Sequence, residues 1–318
     1  MTDTADEGVL DLVVVQLRRE SERVLSVLLA DAEAGQLPEW TAGAHIDLLL
    51  PCGWRQYSLC GDPGDRDHYR IAVLREERSR GGSDFIHESL RPGDLVEVGG
   101  PRNHFALEPA VEYLFIAGGV GITPILPMVR QAETAHSPWR LVYGGRSAGS
   151  MAFTGELASY GDKVELVPED EAGLIDLDRL LGEPSEGTGV YCCGPTGLLE
   201  AVERACQPWP TGVLHVERFA ARALPPGQAD RPFTVRCARS GIDVRVAAGD
   251  RIIDVLELAG IYVPTACRDG LCGSCETRVL SGVVEHRDSV LTALQQAAGD
   301  RMMVCVSRAA GDLVEIDA

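Results

Sequence analysis

Four cysteines carry the strongest chemical signal in the chain: Cys267, Cys272 and Cys275 in CRDGLCGSC, and Cys305 in MMVCVS. C-x4-C-x2-C with a distant fourth cysteine is the ligation spacing of a plant-type 2Fe-2S cluster. Three thiolates on one short loop must wrap a compact inorganic core, and Gly270 and Gly273 supply turns that a side chain would obstruct. Amides of the same loop can then donate to the sulfurs and set the potential. Four thiolates also suit structural zinc, but zinc usually draws on two separated pairs such as C-x2-C, so the triplet favours the cluster. Cys52, Cys60, Cys206 and Cys237 show no such spacing and read as packing thiols.

Two further groups of residues suit a flavin and a nicotinamide. Arg55-Gln56-Tyr57-Ser58-Leu59 falls on a strand, and Arg80-Gly81-Gly82-Ser83 precedes a short helix. Each alone is an ordinary strand or turn. A barrel-bound flavin, however, needs an aromatic ring beside its ring system, a hydroxyl near N5, and a cation with helix-terminal amides for its phosphate. Arg55, Tyr57, Ser58, Gly82 and Ser83 are suited to supply these. Gly118-Gly119-Val120-Gly121-Ile122-Thr123-Pro124 lies at a strand-to-helix junction, and a later strand ends in Cys192-Cys193-Gly194-Pro195. The first lacks the full G-x-G-x-x-G fingerprint and the second also reads as a plain tight turn. Gly118, Gly119 and Gly121 nevertheless fit a loop lying close against a dinucleotide at the carboxyl edge of a sheet.

The elements that must position these residues change in texture twice. Residues 9 to about 107 read as short strands with turn signals, VLDLVVVQL, RVLSVLLA, HIDLLLP, RQYSLC, YRIAVLRE and DLVEVGGP, interrupted by one helix near Ser83 to Leu90. That pattern predicts an antiparallel barrel or sandwich. From about Val111 strands alternate with helices (EYLFIA, ITPILPMVRQAE, WRLVYGG, a helix near Thr154 to Ser159, KVELVPE, IDLDRLL, GVYCCGP, GLLEAVERAC), which predicts a parallel, doubly wound sheet. After the strand GVLHVERF, the stretch AARALPPGQADRP reads as a linker. The remainder holds FTVRCA, DVRVAA, an amphipathic helix near Asp250 to Ala259 and short terminal strands. A piece that small folds alone only with help, which a metal centre provides. The expected division is 1–108, 109–225 and 226–318.

Composition limits the function classes. With 318 residues, 45% of them hydrophobic, the chain is long enough for folded cores and is neither disordered nor collagen-like. MTDTADEG lacks the basic start and apolar run of a secretory signal. Val111 to Val129, the one stretch approaching bilayer length, contains Glu112, three glycines and two prolines. A cytoplasmic protein is expected, in which ten cysteines are reduced thiols or ligands rather than disulfides. A net charge of -19 disfavours nucleic acid and anionic membrane as partners. That charge divides as -9 over 1–108, -8 over 109–219 and -2 over 220–318, so docking of the last segment should lean little on bulk charge. Lys163 is the sole lysine.

In their order, RQYS, RGGS, GGVGITP, CCGP, HVERF, a linker and C-x4-C-x2-C…C, these motifs resemble the phthalate dioxygenase reductase family, which includes vanillate demethylase reductases, over nearly the whole chain. The resemblance implies an antiparallel FMN-binding β-barrel, a parallel doubly wound NADH-binding domain of ferredoxin-NADP reductase type, and a C-terminal β-grasp 2Fe-2S ferredoxin domain. It places Arg55, Gln56, Tyr57 and Ser58 at the flavin, and Arg80, Gly81, Gly82 and Ser83 at its phosphate. Thr123, Cys193, Gly194 and Pro195 fall near the nicotinamide, and Phe219 shields the flavin face. Arg268 departs from the family, whose members often carry an acidic residue there. Electron counting gives the flavin its place: a nicotinamide delivers two electrons as a hydride, the cluster accepts one at a time, and a flavin converts between them.

Arg146 and Ser147 follow the second strand of the nicotinamide domain, with no acidic residue for a ribose hydroxyl. They suit a 2′-phosphate or merely the adenosine; the family favours NADH, with NADPH the alternative. The expected acceptor is a Rieske-type non-haem iron oxygenase that hydroxylates rings or removes O-methyl groups, with a haem-thiolate monooxygenase as runner-up. An iron-sulfur redox sensor or interaction module, the competing class, leaves RQYS, RGGS and GGVGITP unexplained.

Overall fold

The computed structural model describes residues 9–77, 79–221 and 230–318. MTDTADEG, the expected boundary at 225 and the middle of the expected linker lie outside the described residues. The chain forms two compact units, divided between Glu217 and Arg218.

The first unit holds two sheets. Strands β1 (Leu10–Arg19), β2 (Val24–Asp31), β3 (His45–Leu50), β4 (Gly53–Ser58), β5 (Tyr69–Leu74) and β6 (Leu95–Arg102) form an antiparallel sheet in the order β4-β3-β6-β1-β2-β5, with helix α1 (Gly82–Glu88) between β5 and β6. Its outer strands meet through an antiparallel bridge between Leu59 and Ile71, and the Cys60 amide donates to the Arg70 carbonyl at 2.8 Å. The sheet thereby closes on itself, around a core that includes Leu12, Val27, Ile46, Leu48 and Ile71. His87 sits on α1, its Nε2 2.9 Å from the Val73 carbonyl.

The second sheet is wholly parallel. It comprises β7 (Glu112–Gly118), β8 (Trp139–Gly145), β9 (Val164–Pro168), β10 (Thr188–Cys193) and β11 (Leu214–Glu217), ordered β11-β10-β7-β8-β9. Helices α2 (Ile122–Thr134), α3 (Thr154–Leu157), α4 (Glu169–Ala172), α5 (Leu177–Leu181) and α6 (Thr196–Ala205) alternate with these strands. The central strands β7 and β10 are nearly continuous apolar runs because both their faces are covered, and Phe115 and Ile116 each contribute about 1.5–3 kcal/mol by burial. The stretch Val111 to Val129 is thus a strand, a tight turn and the start of a helix. Among the described residues no helix is long and apolar enough to cross a membrane.

The helix expected near Thr154 to Ser159 is α-helical only to Leu157, after which a 3-10 run follows with Gly161 at φ 57°. Lys163, at the end of that run, reaches Glu133 and lies 5.1 Å from the centre of the Trp139 ring.

The second unit contains β12 (Phe233–Cys237), β13 (Ile242–Val246), helix α7 (Ile252–Leu258), β14 (Glu276–Ser281), β15 (Val284–Glu285), α8 (Ala293–Ala298), β16 (Arg301–Met303), β17 (Arg308–Ala309) and β18 (Leu313–Ile316). A five-stranded mixed sheet runs β13-β12-β18-β14-β16, with β12 and β18 parallel. Its core joins Val235, Val246, Ile253, Leu256 and Val314, so the sheet grips α7.

Candidate functional site

Strand β4 carries RQYS, and its alternation puts Arg55 and Tyr57 on one face, Gln56 and Ser58 on the other. Arg55 curls back: Nη1 donates to the Trp54 carbonyl at 2.8 Å and Nη2 to the Arg80 carbonyl at 3.3 Å. The start of α1 is pressed against this strand. A Cβ on Gly82 would stand 3.0 Å from Arg55 Cγ and 3.2 Å from the Tyr57 hydroxyl, so only a bare Cα leaves the guanidinium and phenol side by side. Gly81 precedes the helix at φ 97°, in the left-handed region that glycine enters freely. Ser83 is buried and works within its own loop, its Oγ accepting from the Glu76 amide at 3.2 Å and donating to Ser79 Oγ at 3.1 Å. Burial pushes the Tyr57 phenol well above its ordinary range, so it is neutral. The structure thus joins RQYS and RGGS, 25 residues apart, into one cationic and aromatic cradle of a kind that suits a flavin phosphate and ring.

Adjacent strands β10, β7 and β8 end together, and their carboxyl ends bring three loops to one edge. Gly118 to Gly121 follow β7, Arg146 and Ser147 follow β8, and Gly194 and Pro195 follow β10. The first and last pack backbone against backbone. A Cβ on Gly118 would lie 2.7 Å from Pro195 Cδ, and one on Gly121 would lie 2.3 Å from the Cys193 carbonyl oxygen. Thr123 is buried in the first turn of α2, its hydroxyl donating to the Val120 carbonyl at 2.9 Å. Cys193 is fully buried, which raises its thiol well above the usual value and keeps it protonated. Arg146 is 80% exposed and 3.4 Å from Glu77, and Ser147 opens the next turn by exchanging hydrogen bonds with Ser150.

One feature of this edge was not foreseen. The acidic turn Glu169-Asp170-Glu171 follows β9, whose Pro168 pairs with Gly145, and the Asp170 amide donates to the Arg146 carbonyl at 3.2 Å.

A second residue escaped notice. Glu217 ends β11 opposite Cys193, and its carboxyl hydrogen-bonds Ser58. Its Oε2 is sealed from solvent and has no hydrogen-bond partner. Burial outweighs the Ser58 bond and pushes the carboxyl from 4.5 up to about 8. Ser58, Cys193 and Glu217 therefore join the flavin sheet to the nicotinamide edge. In HVERF the only hint was a charged residue closing an apolar strand. Phe219, two residues beyond β11, is 43% exposed.

The raised carboxyl gives a pH prediction. Glu217 is neutral below about pH 8 and anionic above it, and were Ser58 to lie at a flavin, as the sequence leads one to expect, that negative charge would oppose an arriving hydride. NADH-driven flavin reduction, followed by stopped flow, should slow as pH rises through about 8, and Glu217→Gln should flatten that limb. A variant profile that keeps the limb assigns it elsewhere. Stability follows the same sign: between pH 4.5 and 8 the folded state holds a proton that the unfolded state has released, so this contribution is lost as pH rises across that window.

In the second unit the cysteine loop runs from the end of α7 to β14. Cys272, Cys275 and Cys305 are buried and Cys267 is half-buried. The thiols stand in two pairs: Cys267 hydrogen-bonds Cys272, and Cys305 hydrogen-bonds Cys275. Among the described residues no three His, Cys, Asp or Glu side chains converge as a single-ion site requires. Paired thiols suit two irons, each taking two sulfurs, better than one zinc. The amides of Asp269 and Leu271 both donate to Cys267 Sγ at 3.4 Å, and Ser274 Oγ lies 3.0 Å from Cys272 Sγ. Gly270, at φ 68°, has no room for a side chain, since a Cβ would meet Val306 Cγ2 at 2.6 Å. Arg268 turns away from the thiols, pairing with Asp254 at 2.7 Å and with Glu257 on α7.

Comparison with known proteins agrees with this division. Residues 235–310 match the 2Fe-2S iron-sulfur cluster binding domain, and residues 115–204 match the oxidoreductase NAD-binding domain. The chain is 48% identical to the phenoxybenzoate dioxygenase subunit beta of Ectopseudomonas oleovorans over 283 residues, 88% of each chain. It superposes on phthalate dioxygenase reductase with a TM-score of 0.72, 35% identity and full coverage of both chains. An intact type IV self-sufficient cytochrome P450 monooxygenase matches 98% of it at 43% identity and a TM-score of 0.93, and the chain spans 41% of that longer protein.

Proposed function

The chain belongs to the phthalate dioxygenase reductase family, and from that premise we propose that it is an NADH-dependent, FMN-containing reductase subunit that feeds a Rieske-type oxygenase. The observation that carries this reading is the pairing of a dinucleotide edge and flavin cradle in one unit with paired cluster thiols in the other. A bound flavin takes two electrons from a hydride and returns them singly.

The chain's own residues do the placing. Arg55, with Arg80 beside it and Gly81, Gly82 and Ser83 at the turn, holds one terminal phosphate, which suits FMN. Tyr57 would supply the aromatic ring beside the flavin and Ser58 the hydroxyl near it, while Gln56 pairs in register with Asp47. Gly118, Gly119 and Gly121 let the pyrophosphate approach, and Gly194 and Pro195 close the other side. Thr123 and Cys193 would border the nicotinamide, whose carboxamide is a donor suited to the orphan Glu217 Oε2. Phe219 is the residue that would shield the flavin face. Cys267 and Cys272 would hold one iron, Cys275 and Cys305 the other. The domain division of 1–108, 109–225 and 226–318 belongs to the same proposal.

Preference for NADH is supported by the carboxylates around Arg146. Glu77 stands 3.4 Å away, and the acidic turn after β9 adjoins its backbone, so a 2′-phosphate would meet negative charge. Steady-state ferricyanide reduction should give a Michaelis constant at least tenfold lower for NADH than for NADPH, and chromatography of the released flavin should identify FMN. Equal efficiencies with the two nicotinamides, or FAD in the extract, would sink the respective assignments.

For the acceptor, the test is NADH-coupled product formation with a purified Rieske oxygenase. Transfer to a haem-thiolate monooxygenase is the second reading, supported by the likeness to part of a self-sufficient cytochrome P450. Coupling to such an enzyme, with none to Rieske oxygenases, would favour it.

A further inference from the structure

The two sheets of the first unit share an apolar core in which Val24, Cys60, Ala72 and Phe105 from the flavin side meet Phe115, Ile125 and Met128 from the nicotinamide side. One polar joint lies at its margin. Glu156 on α3 accepts from Arg70 of β5 through both oxygens, Nη1 to Oε1 at 2.7 Å and Nη2 to Oε2 at 3.1 Å, and from Arg130 of α2, Nη2 to Oε2 at 2.5 Å. Both guanidiniums then reach the loop after β4. Arg70 Nη2 donates to the Cys60 carbonyl at 2.8 Å, and Arg130 Nη1 donates to the Gly61 carbonyl at 2.6 Å. Arg70 also lies 5.0 Å from the centre of the Phe153 ring, a buried residue held at φ 61° just before α3.

The three side chains are only 18% to 30% exposed, and the two arginines hold the Glu156 carboxyl below its ordinary range despite its burial. What they connect matters most. Cys60 lies two residues past Ser58, and Arg130 is on the helix whose first turn carries Thr123.

We propose that Glu156 is a positioning residue for hydride transfer: through Arg70 and Arg130 its carboxylate fixes the strand end bearing Ser58 against the helix bearing Thr123. This rests on the flavin and nicotinamide reading of those two residues. Rates of this kind depend on donor-acceptor geometry to within an ångström, while binding of either cofactor draws on contacts elsewhere. A loosened joint therefore slows transfer more than it weakens binding.

Glu156→Gln keeps the shape and removes the charge that both arginines need. The expected result is at least a tenfold fall in the single-turnover rate of flavin reduction by NADH and a weaker long-wavelength nicotinamide-flavin absorbance. The Michaelis constant for NADH, the flavin content and the melting temperature should stay near wild type, and Glu156→Asp should recover part of the rate. Hydrogen exchange at Cys60, Gly61 and Leu157, measured without NADH, should quicken in Glu156→Gln. Arg130→Gln should repeat the pattern and stands in for Glu156→Gln if that variant does not fold. An unchanged rate with unchanged exchange overturns the proposal. So does a loss in which flavin content and Michaelis constant move with the rate, because that marks general structural damage. Wild-type protein that NADH fails to reduce would instead defeat the underlying functional reading, while the exchange result still reports on the joint.

Discussion

Cys305→Ser should strip the iron from the second unit and abolish cytochrome c reduction, while NADH continues to reduce ferricyanide at more than half the wild-type rate. Cys305 is buried beside Cys275, and serine replaces a soft thiolate with a weakly acidic hydroxyl that is a poor ligand for a cluster iron. The residues proposed to hold the flavin and nicotinamide, Phe219 excepted, are in the first unit, which has its own two sheets and its own cores, so their placement does not depend on the cysteine loop. Iron analysis, flavin content and the two acceptor assays on one preparation decide the matter. If both activities fell together with flavin still bound, electrons would not leave the two units in the assumed order.

Gly121→Ala should lower kcat/KM for NADH about a hundredfold with flavin content intact. Gly121 has ordinary helical angles, so backbone strain is not the cause. The new methyl would stand 2.3 Å from the Cys193 carbonyl oxygen, 2.4 Å from its carbon and 2.7 Å from the Gly194 nitrogen. All three are backbone atoms of the neighbouring loop and cannot rotate aside. The ends of β7 and β10 must separate by about 1 Å, a misplacement that costs roughly a hundredfold in rate and about 1–3 kcal/mol in stability. Arg55, Tyr57 and Gly82 lie on the other sheet and are not displaced. A kcat/KM within threefold of wild type would show that this contact relaxes without consequence.

Local chemistry was legible in the sequence and long-range chemistry was not. The cysteine spacing, the antiparallel strands before 107 and the strand-helix alternation after 111 each rest on patterns shorter than a dozen residues, and the structure carries all three. Glu217 was hidden because its role comes from parallel pairing with Cys193 and a bond to Ser58, 159 positions earlier. The Arg70–Glu156 pair, 86 residues apart, left no trace for the same reason. The turn after β9 was read as the end of a strand, since KVELVPE has apolar alternation that stops only at Glu169. In the second unit β14 was missed because ETRVLS abuts the cysteine loop, whose glycines and cysteines dominate the local signal.

Cys275 and Cys305 also bear on how the second unit stays folded. They are thirty residues apart in the chain and side by side in space. Any inorganic group that ties both sulfurs closes a loop of that length, as a covalent cross-link does, and removes about 3–4 kcal/mol of conformational freedom from the unfolded chain. For a unit of about a hundred residues that is a large part of the whole margin of stability. Loss of such a group would therefore loosen the second unit, which should then be cut by protease more readily than the first.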